Sequence, residues 1–417
     1  MRTIRRFAAA IAAAATLLFL SPYLPASAAE PIKVGFSMAL TGGVAQNGKQ
    51  LLLALELWRD DVNAKGGLLG RPVELVYYDD QSNPSTVPGI YTKLISVDKV
   101  DLLLGPYATN MVAAAMPVIM EHNKTTISML AVTVNRHFHY PRYFSMLSTG
   151  PGGVKAFSQG FFALAAAQKP KPETVAILAA DAEFARTSAD GARENAAENG
   201  FQIIYDKTYP PPTTDFGPAV RGIQAANPDV VFIAAYPPDT VGIVRAANEV
   251  GLKPKMFGGT MIGLLITPIK TQLGPIIDGL VIMESFVPSF HFPGLADLLK
   301  RYRAVAAGEK IDPFGYAYVP FGYAAGQVLA QAVEGAHSLD QDKLADYLHS
   351  HKFETVVGPV EYGKDGEWTY GRTLFTQFQD VAPGDAEQFA DGKKQPILWP
   401  PEFRTGSMIY PYSEARK

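Results

Sequence analysis

What most limits this chain's fold is a rhythm. Short apolar runs of strand length alternate with segments whose apolar residues recur at helical spacing, and the alternation begins twice. Ile32 to Met38 reads as a strand and ends in the flexible loop Ala39–Gly43. Leu51, Leu55, Trp58 and Val62 then mark one face of a helix, stopped by the Asn63–Gly67 stretch. Strand Val73–Tyr78, the polar loop Asp79–Pro84, helix Pro88–Val97 and strand Val100–Leu104 follow. A β-α-β-α-β order demands a parallel sheet covered by helices on both faces. Helix Ala113–Glu121 and strand Thr126–Leu130 extend it.

The rhythm pauses at Pro141–Gly153, a small-residue stretch suited to a crossing between domains. It restarts with helix Val154–Ala167 and runs through strands at Thr174–Ala179, Phe201–Tyr205 and Asp229–Ala235 to a closing strand at Leu280–Glu284. Two later helices, Leu295–Ala306 and Phe321–Glu334, have no strands of their own, so they return to cover the first sheet. The expected fold class is α/β: two doubly wound parallel-sheet lobes, joined by three crossover strands, with a ligand cleft between them. The expected segments are a leader at 1–29, a first lobe at 30–148 plus 287–356, a second lobe at 149–286 plus 357–390, and an extended tail at 391–417. Val356–Gly358 is the expected third crossing. Val360–Tyr362 and Thr373–Gln379 are expected to form two strands around a turn in which Gly366 supplies positive φ.

Arg2, Arg5 and Arg6 precede the apolar run Phe7–Leu20 and the small residues up to Ala29, the order of a secretory leader cleaved near Ala28 or Ala29. The apolar part is shorter than the ~20 residues that span a bilayer. The expected location is therefore the periplasm. Without the leader arginines the chain holds 34 basic against 40 acidic residues, a formal charge of −6, which does not suit nucleic acid. With no cysteine, disulfides and thiol catalysis are excluded.

Catalytic patterns are missing as well. The histidine pairs His137/His139 and His349/His351 lack the i, i+4 spacing of a helical metal site, and there is no nucleophile elbow, phosphate loop or dinucleotide glycine pattern. Asp79 and Asp80 are adjacent at a strand end, where neighbours point to opposite sides, and read as a solvated loop end. No enzyme, metal or cofactor is expected. Polar residues instead gather at the C-terminal ends of strands: Thr41 and Gln46, then Thr109 and Asn110, then Thr133. That edge is where ligands bind in open α/β sheets.

On Val34–Ser37 with Thr41–Gly42, Val44–Gly48, Asn63–Gly67 with Leu69–Arg71, Tyr78–Ser82, Gly105–Tyr107, Asp215–Phe216 and Gly358–Pro359, the chain resembles the exported solute-binding proteins of ABC importers. The branch is that of the leucine-isoleucine-valine binding proteins. The resemblance implies two lobes closing on a small solute, most simply as a monomer, and delivering it to the permease subunits. It places the ligand carboxylate on the turns Ala108–Thr109–Asn110 and Ala131–Val132–Thr133, after Tyr107 and Leu130. Asn47 and Phe184 stand where amino-acid binders of this branch carry tyrosines, and Tyr236 matches an aromatic wall. The acidic residue that would hold an ammonium group has no counterpart near Thr260 and Met261 unless Glu183 points inward. A buried unpaired ammonium costs several kcal/mol, so the expected solute is an aromatic or apolar carboxylic acid, with a branched-chain amino acid as the alternative. A ligand-sensing regulator of the same fold is the competing class.

Overall fold

The computed structural model describes residues 29–416; the leader and the Ala28 side of its cleavage position lie outside them. The chain runs through β1 (Ile32–Met38), α1 (Ala45–Ala64), β2 (Val73–Asp79), α2 (Val87–Ser96), β3 (Leu102–Tyr107), α3 (Thr109–Glu121), β4 (Thr126–Met129), α4 (Asn135–Phe138) and β5 (Tyr143–Ser145). The five strands form one parallel sheet in the order β2-β1-β3-β4-β5. Strand β1 is almost wholly buried, as its nearly continuous apolar run requires when helices cover both faces.

The second lobe holds α5 (Ala156–Ala166), β6 (Thr174–Ala180), α6 (Glu183–Glu198), β7 (Gln202–Tyr209), α7 (Gly217–Ala226), β8 (Val230–Ala235), α8 (Pro237–Glu249), β9 (Met256–Met261), α9 (Thr267–Leu273) and β10 (Val281–Glu284). The chain then returns to the first lobe as α10 (Leu295–Glu309), α11 (Val319–Ala336), α12 (Gln341–Ser350) and the hairpin β11 (Lys352–Thr355) and β12 (Gly358–Glu361). Helix α11 lies against α1 so closely that a Cβ on Gly326 would come 2.3 Å from Trp58 Cδ2. Only glycine allows that approach. Finally β13 (Leu374–Gln377) and β14 (Ile397–Trp399) add antiparallel strands to the second sheet, ordered β14-β13-β10-β9-β8-β6-β7.

Several expectations change. Strand β3 does not stop at Gly105–Pro106 but runs on to Tyr107, because the proline sits where the ladder to β4 shifts register. A bulge tolerates a residue without an N–H. The third crossing is not Val356–Gly358: Val356, Val357, Val360 and Trp368 pack in the first lobe's core, and the chain reaches the second sheet only at Leu374. Residues 357–368 therefore go with the first lobe. β12 pairs with β11 rather than with β13, while Gly366 does carry positive φ, 75°, and its missing Cβ lets the turn close on the Tyr143 carbonyl. Nor is 391–417 merely extended, since β14 joins the sheet and Tyr412 is buried against Phe257. Asp80 is not solvated; it is fully buried and accepts the Ser37 hydroxyl at 3.0 Å, and burial raises its carboxyl to about 6. Strands β5 and β9 and helix α12 are additions to the elements expected from sequence.

Among the described residues no helix is long and apolar enough to cross a membrane, and no group of side chains could hold a metal ion.

Candidate ligand cleft

The C-terminal ends of β3 and β4 face those of β6 and β8 across the gap between the lobes. At the end of β3 the backbone reverses through Ala108, with φ 78° and ψ 147°. A side chain in that region costs about 1–3 kcal/mol and persists only when its surroundings enforce it, often at a functional site. The reversal lets α3 begin at Thr109, where the Thr109 and Asn110 amides have no backbone acceptor while those of Met111 and Val112 donate to the Ala108 carbonyl. After β4 a second turn carries Leu130 and Thr133 at positive φ, 55° and 44°. Thr109 joins the two turns: its Oγ1 accepts the Val132 N–H at 3.1 Å. The hydroxyl proton of Thr109 is thereby left for another acceptor.

These turns form one wall of a cavity of ≈ 50 Å3, room for a few water molecules. Tyr107, Ala108, Thr109, Leu130 and Val132 line it from the first lobe, together with Tyr318 and Ala317 ahead of α11. Phe184, Tyr236, Phe157 and Leu265 line it from the second, and Met283 and Ser285 lie where the chain crosses back. Among the described residues no charged side chain lines the cavity. The aromatics brace one another edge to face: Phe184 with Tyr236 at 5.7 Å, Phe157 with Phe184 at 6.2 Å, and Tyr107 with Tyr318 at 5.6 Å between ring centroids.

Asn47 stands behind the Tyr107–Tyr318 pair. Its fully buried amide donates to the Tyr107 hydroxyl at 2.6 Å and to that of Tyr318 at 2.8 Å. It fixes the rings without touching the cavity. Burial pushes both phenols above their ordinary range, more strongly for Tyr318, so they remain neutral donors at physiological pH. Asn110 bridges the lobes. Its Oδ1 accepts the Phe184 N–H at 3.2 Å and the Tyr236 hydroxyl at 2.9 Å.

Of the residues expected at the site, Tyr107, Ala108, Thr109, Val132, Phe184 and Tyr236 come together around the cavity. The others are elsewhere, each for a physical reason. Gln46 is exposed on α1 and only its carbonyl is used, by Gln50. Ala131 points into the apolar layer with Met111 and Tyr143. Thr133 turns into a separate groove with Glu183. Thr260 is held by the Ser188 hydroxyl at 2.7 Å, and Met261 fills the second lobe's core. Glu183 does not supply the ammonium partner in the cavity; its carboxylate lies 3.5 Å from Arg186. Sequence reasoning missed Tyr318, Phe157, Leu265 and Ser285. The Tyr316–Ala317–Tyr318 segment ahead of a Pro320-started helix was the one available hint.

The family model described as periplasmic binding protein matches residues 31–380. The Leu/Ile/Val-binding protein of Escherichia coli K12 is 24% identical over 350 residues, covering 81% of this chain and 88% of the relative. A Rhodopseudomonas palustris solute-binding protein of an ABC transporter, solved in complex with benzoate, superposes with a TM-score of 0.72 at 21% identity, covering 88% of this chain and 95% of that one. A branched-chain amino acid substrate-binding protein of Streptococcus pneumoniae, solved with isoleucine, gives a TM-score of 0.69 at 18% identity, with 89% and 100% covered.

Proposed function

The chain belongs to the periplasmic binding protein family, whose members bind solutes rather than transform them, and on that premise we propose that it serves an ABC uptake system by closing on a small carboxylic acid that lacks an amine. The acid is apolar or aromatic, and the permease receives it from the closed form. The observation that carries this reading is a cavity walled by rings and aliphatic side chains without a single charge. A desolvated ammonium there has no counter-charge, which costs several kcal/mol. A carboxylate, by contrast, has the Thr109 hydroxyl and the first amides of α3.

The proposed role of each side chain follows from its place. Thr109, with its own and the Asn110 N–H, holds the carboxylate, with Tyr107 offering a neutral phenol. Phe184, Tyr236, Phe157 and Val132 enclose the apolar body, and Asn110 favours the closed form. A ring needs the walls to yield, since a dry cavity that takes benzene measures ~150 Å3. That the fold accepts such a ligand is supported by the R. palustris relative complexed with benzoate. A branched-chain amino acid is the second reading, supported by the ligands named for the E. coli and S. pneumoniae relatives. The mature protein, cleaved near Ala28 or Ala29, is proposed to act as a monomer.

A thermal-shift screen of the mature protein tests the proposal, with benzoate, phenylacetate and isovalerate set against leucine, isoleucine and valine. A ligand at ~100 times its Kd adds ~2.7 kcal/mol and raises the midpoint measurably. Amine-free acids are expected to shift it. Shifts by the amino acids alone would replace this reading with the second. Sequencing the processed N-terminus from a periplasmic extract locates the cleavage.

A further inference from the structure

The three passages of the chain between the lobes meet at one buried cation, Arg372, which is 4% exposed. It stands just before β13, on the last passage into the second sheet. Its backbone is tied to the first passage: the Arg372 N–H donates to the Ser148 carbonyl at 2.9 Å, and the Arg372 carbonyl accepts the Ser148 hydroxyl at 3.4 Å. Ser148 directly follows Leu147, which packs in the second lobe's core. The side chain points the other way. Nη1 donates to the Val357 carbonyl at 2.7 Å, and the guanidinium lies over the rings of Phe292 at 5.2 Å, Phe290 at 5.3 Å and Trp368 at 5.7 Å. Val357 and Trp368 belong to the first lobe's core, and Phe290 and Phe292, on the second passage, pack against it. Arg372 is thus a plug rooted on the second lobe's side and seated in the first.

The seat is incomplete. Among the described residues Nε and Nη2 are buried without a hydrogen-bond partner, from a carboxylate or any other group. Burial lowers the guanidinium to about 10 from an ordinary 12.5, so it keeps its charge at physiological pH. Ring faces attract a cation, but they do not replace the water it loses, and a buried ion without a counter-charge is costly where an apolar side chain of similar length is not. The Asn110 bonds across the gap and the small cavity mark this arrangement as the closed one. Flat ring faces let the cation withdraw without breaking a directional bond, and withdrawal brings water to the two dry nitrogens. Closing reverses both.

We infer that Arg372 opposes lobe closure, seated in the first lobe only in the closed form and hydrated in the open one, so that it holds the solute-free protein open. Small-angle scattering of the unliganded mature protein tests this whatever the solute is. Arg372→Met and Arg372→Leu remove the charge and keep an apolar stem; both are expected to give a smaller radius of gyration than the wild type. Arg372→Lys, still a cation, is expected to keep the wild-type value. Phe292→Leu weakens the seat and leaves the charge, so its radius is expected to be no smaller than that of the wild type. Calorimetry with benzoate and with leucine gives a second readout, because binding draws on the closed fraction. Whichever of the two binds is expected to bind Arg372→Met about tenfold tighter, the size of one unpaired buried donor, and Phe292→Leu no tighter than the wild type. A side chain that only held the passages together would give the opposite for Arg372→Met, a wider protein and weaker binding. Unliganded melting midpoints show which variants are folded. A folded neutral variant no more compact than the wild type overturns the inference, as does a lysine variant as compact as the methionine one. Loss of folding in both neutral variants would mean that the fold itself requires the cation, and overturns it too.

Discussion

Asn110 lies on the first lobe, half-buried, yet both partners of its Oδ1 belong to the second. The orientation of its amide is fixed by chemistry: the Phe184 backbone N–H can only donate, so the oxygen must face it. Asn110→Ala removes both interlobe bonds and touches neither core. At ~1 kcal/mol net per hydrogen bond the closed form loses about 2 kcal/mol relative to the open one. That is about a 30-fold change in the closed-to-open ratio. If the unliganded protein is mostly open, apparent affinity falls by nearly the same factor, because binding draws on the closed fraction. Calorimetry gives the Kd. Small-angle scattering of the free and saturated protein gives the distribution between forms. The expected outcome is a Kd about 30-fold weaker, a faster off-rate and an unchanged melting midpoint of the unliganded chain. An unchanged Kd with an unchanged radius of gyration would refute the idea that Asn110 holds the lobes together.

Two further outcomes are expected. Thr109→Val removes the proposed donor to the carboxylate and strands the Val132 N–H, so carboxylate binding should weaken by ~1.5–3 kcal/mol while Thr109→Ser keeps most of it, read by calorimetry. Burial, with Asp365 nearby, pushes the Glu367 carboxyl up to about 8 from an ordinary 4.5 against the opposing bonds from Ser145 and Thr149. The folded state then holds a proton that the unfolded state has given up, so stability is fully present below pH 4.5 and is lost as pH rises through about 8. Glu367→Gln should therefore raise the melting midpoint at pH 8 and barely change it at pH 4.5, measured by calorimetric scans across that range.

Much of the fold was legible because its causes are local. Apolar spacing of two kinds, read within windows of a dozen residues, places β1, β6 and β8 and helices α1 and α11 close to where they lie. The failures came where a local rule met a tertiary exception. Gly105–Pro106 signals a break, but the register shift against β4 absorbs it inside a strand. Gly358 looks like a crossing, yet Val357 and Val360 are buried in the first lobe and pull the hairpin there.

The same division holds for the cleft. Tyr107, Ala108 and Thr109 could be found from sequence as the small and polar residues between an apolar run and a helix and through the family resemblance, whereas the run of β3 to Tyr107 and the start of α3 at Thr109 were decided by the tertiary structure. What the sequence could not decide is which distant side chains complete the wall. Asn110 meets Phe184 across 74 positions and Tyr236 across 126, Asn47 holds Tyr318 across 271, and Glu183 faces the neighbouring groove instead of the cavity. Contacts of that separation leave no period in the chain: those of Asn110 depend on how the two lobes meet, and that of Asn47 on how the returning segment ahead of α11 packs against α1 within the first lobe, neither of which is set by any local run of residues.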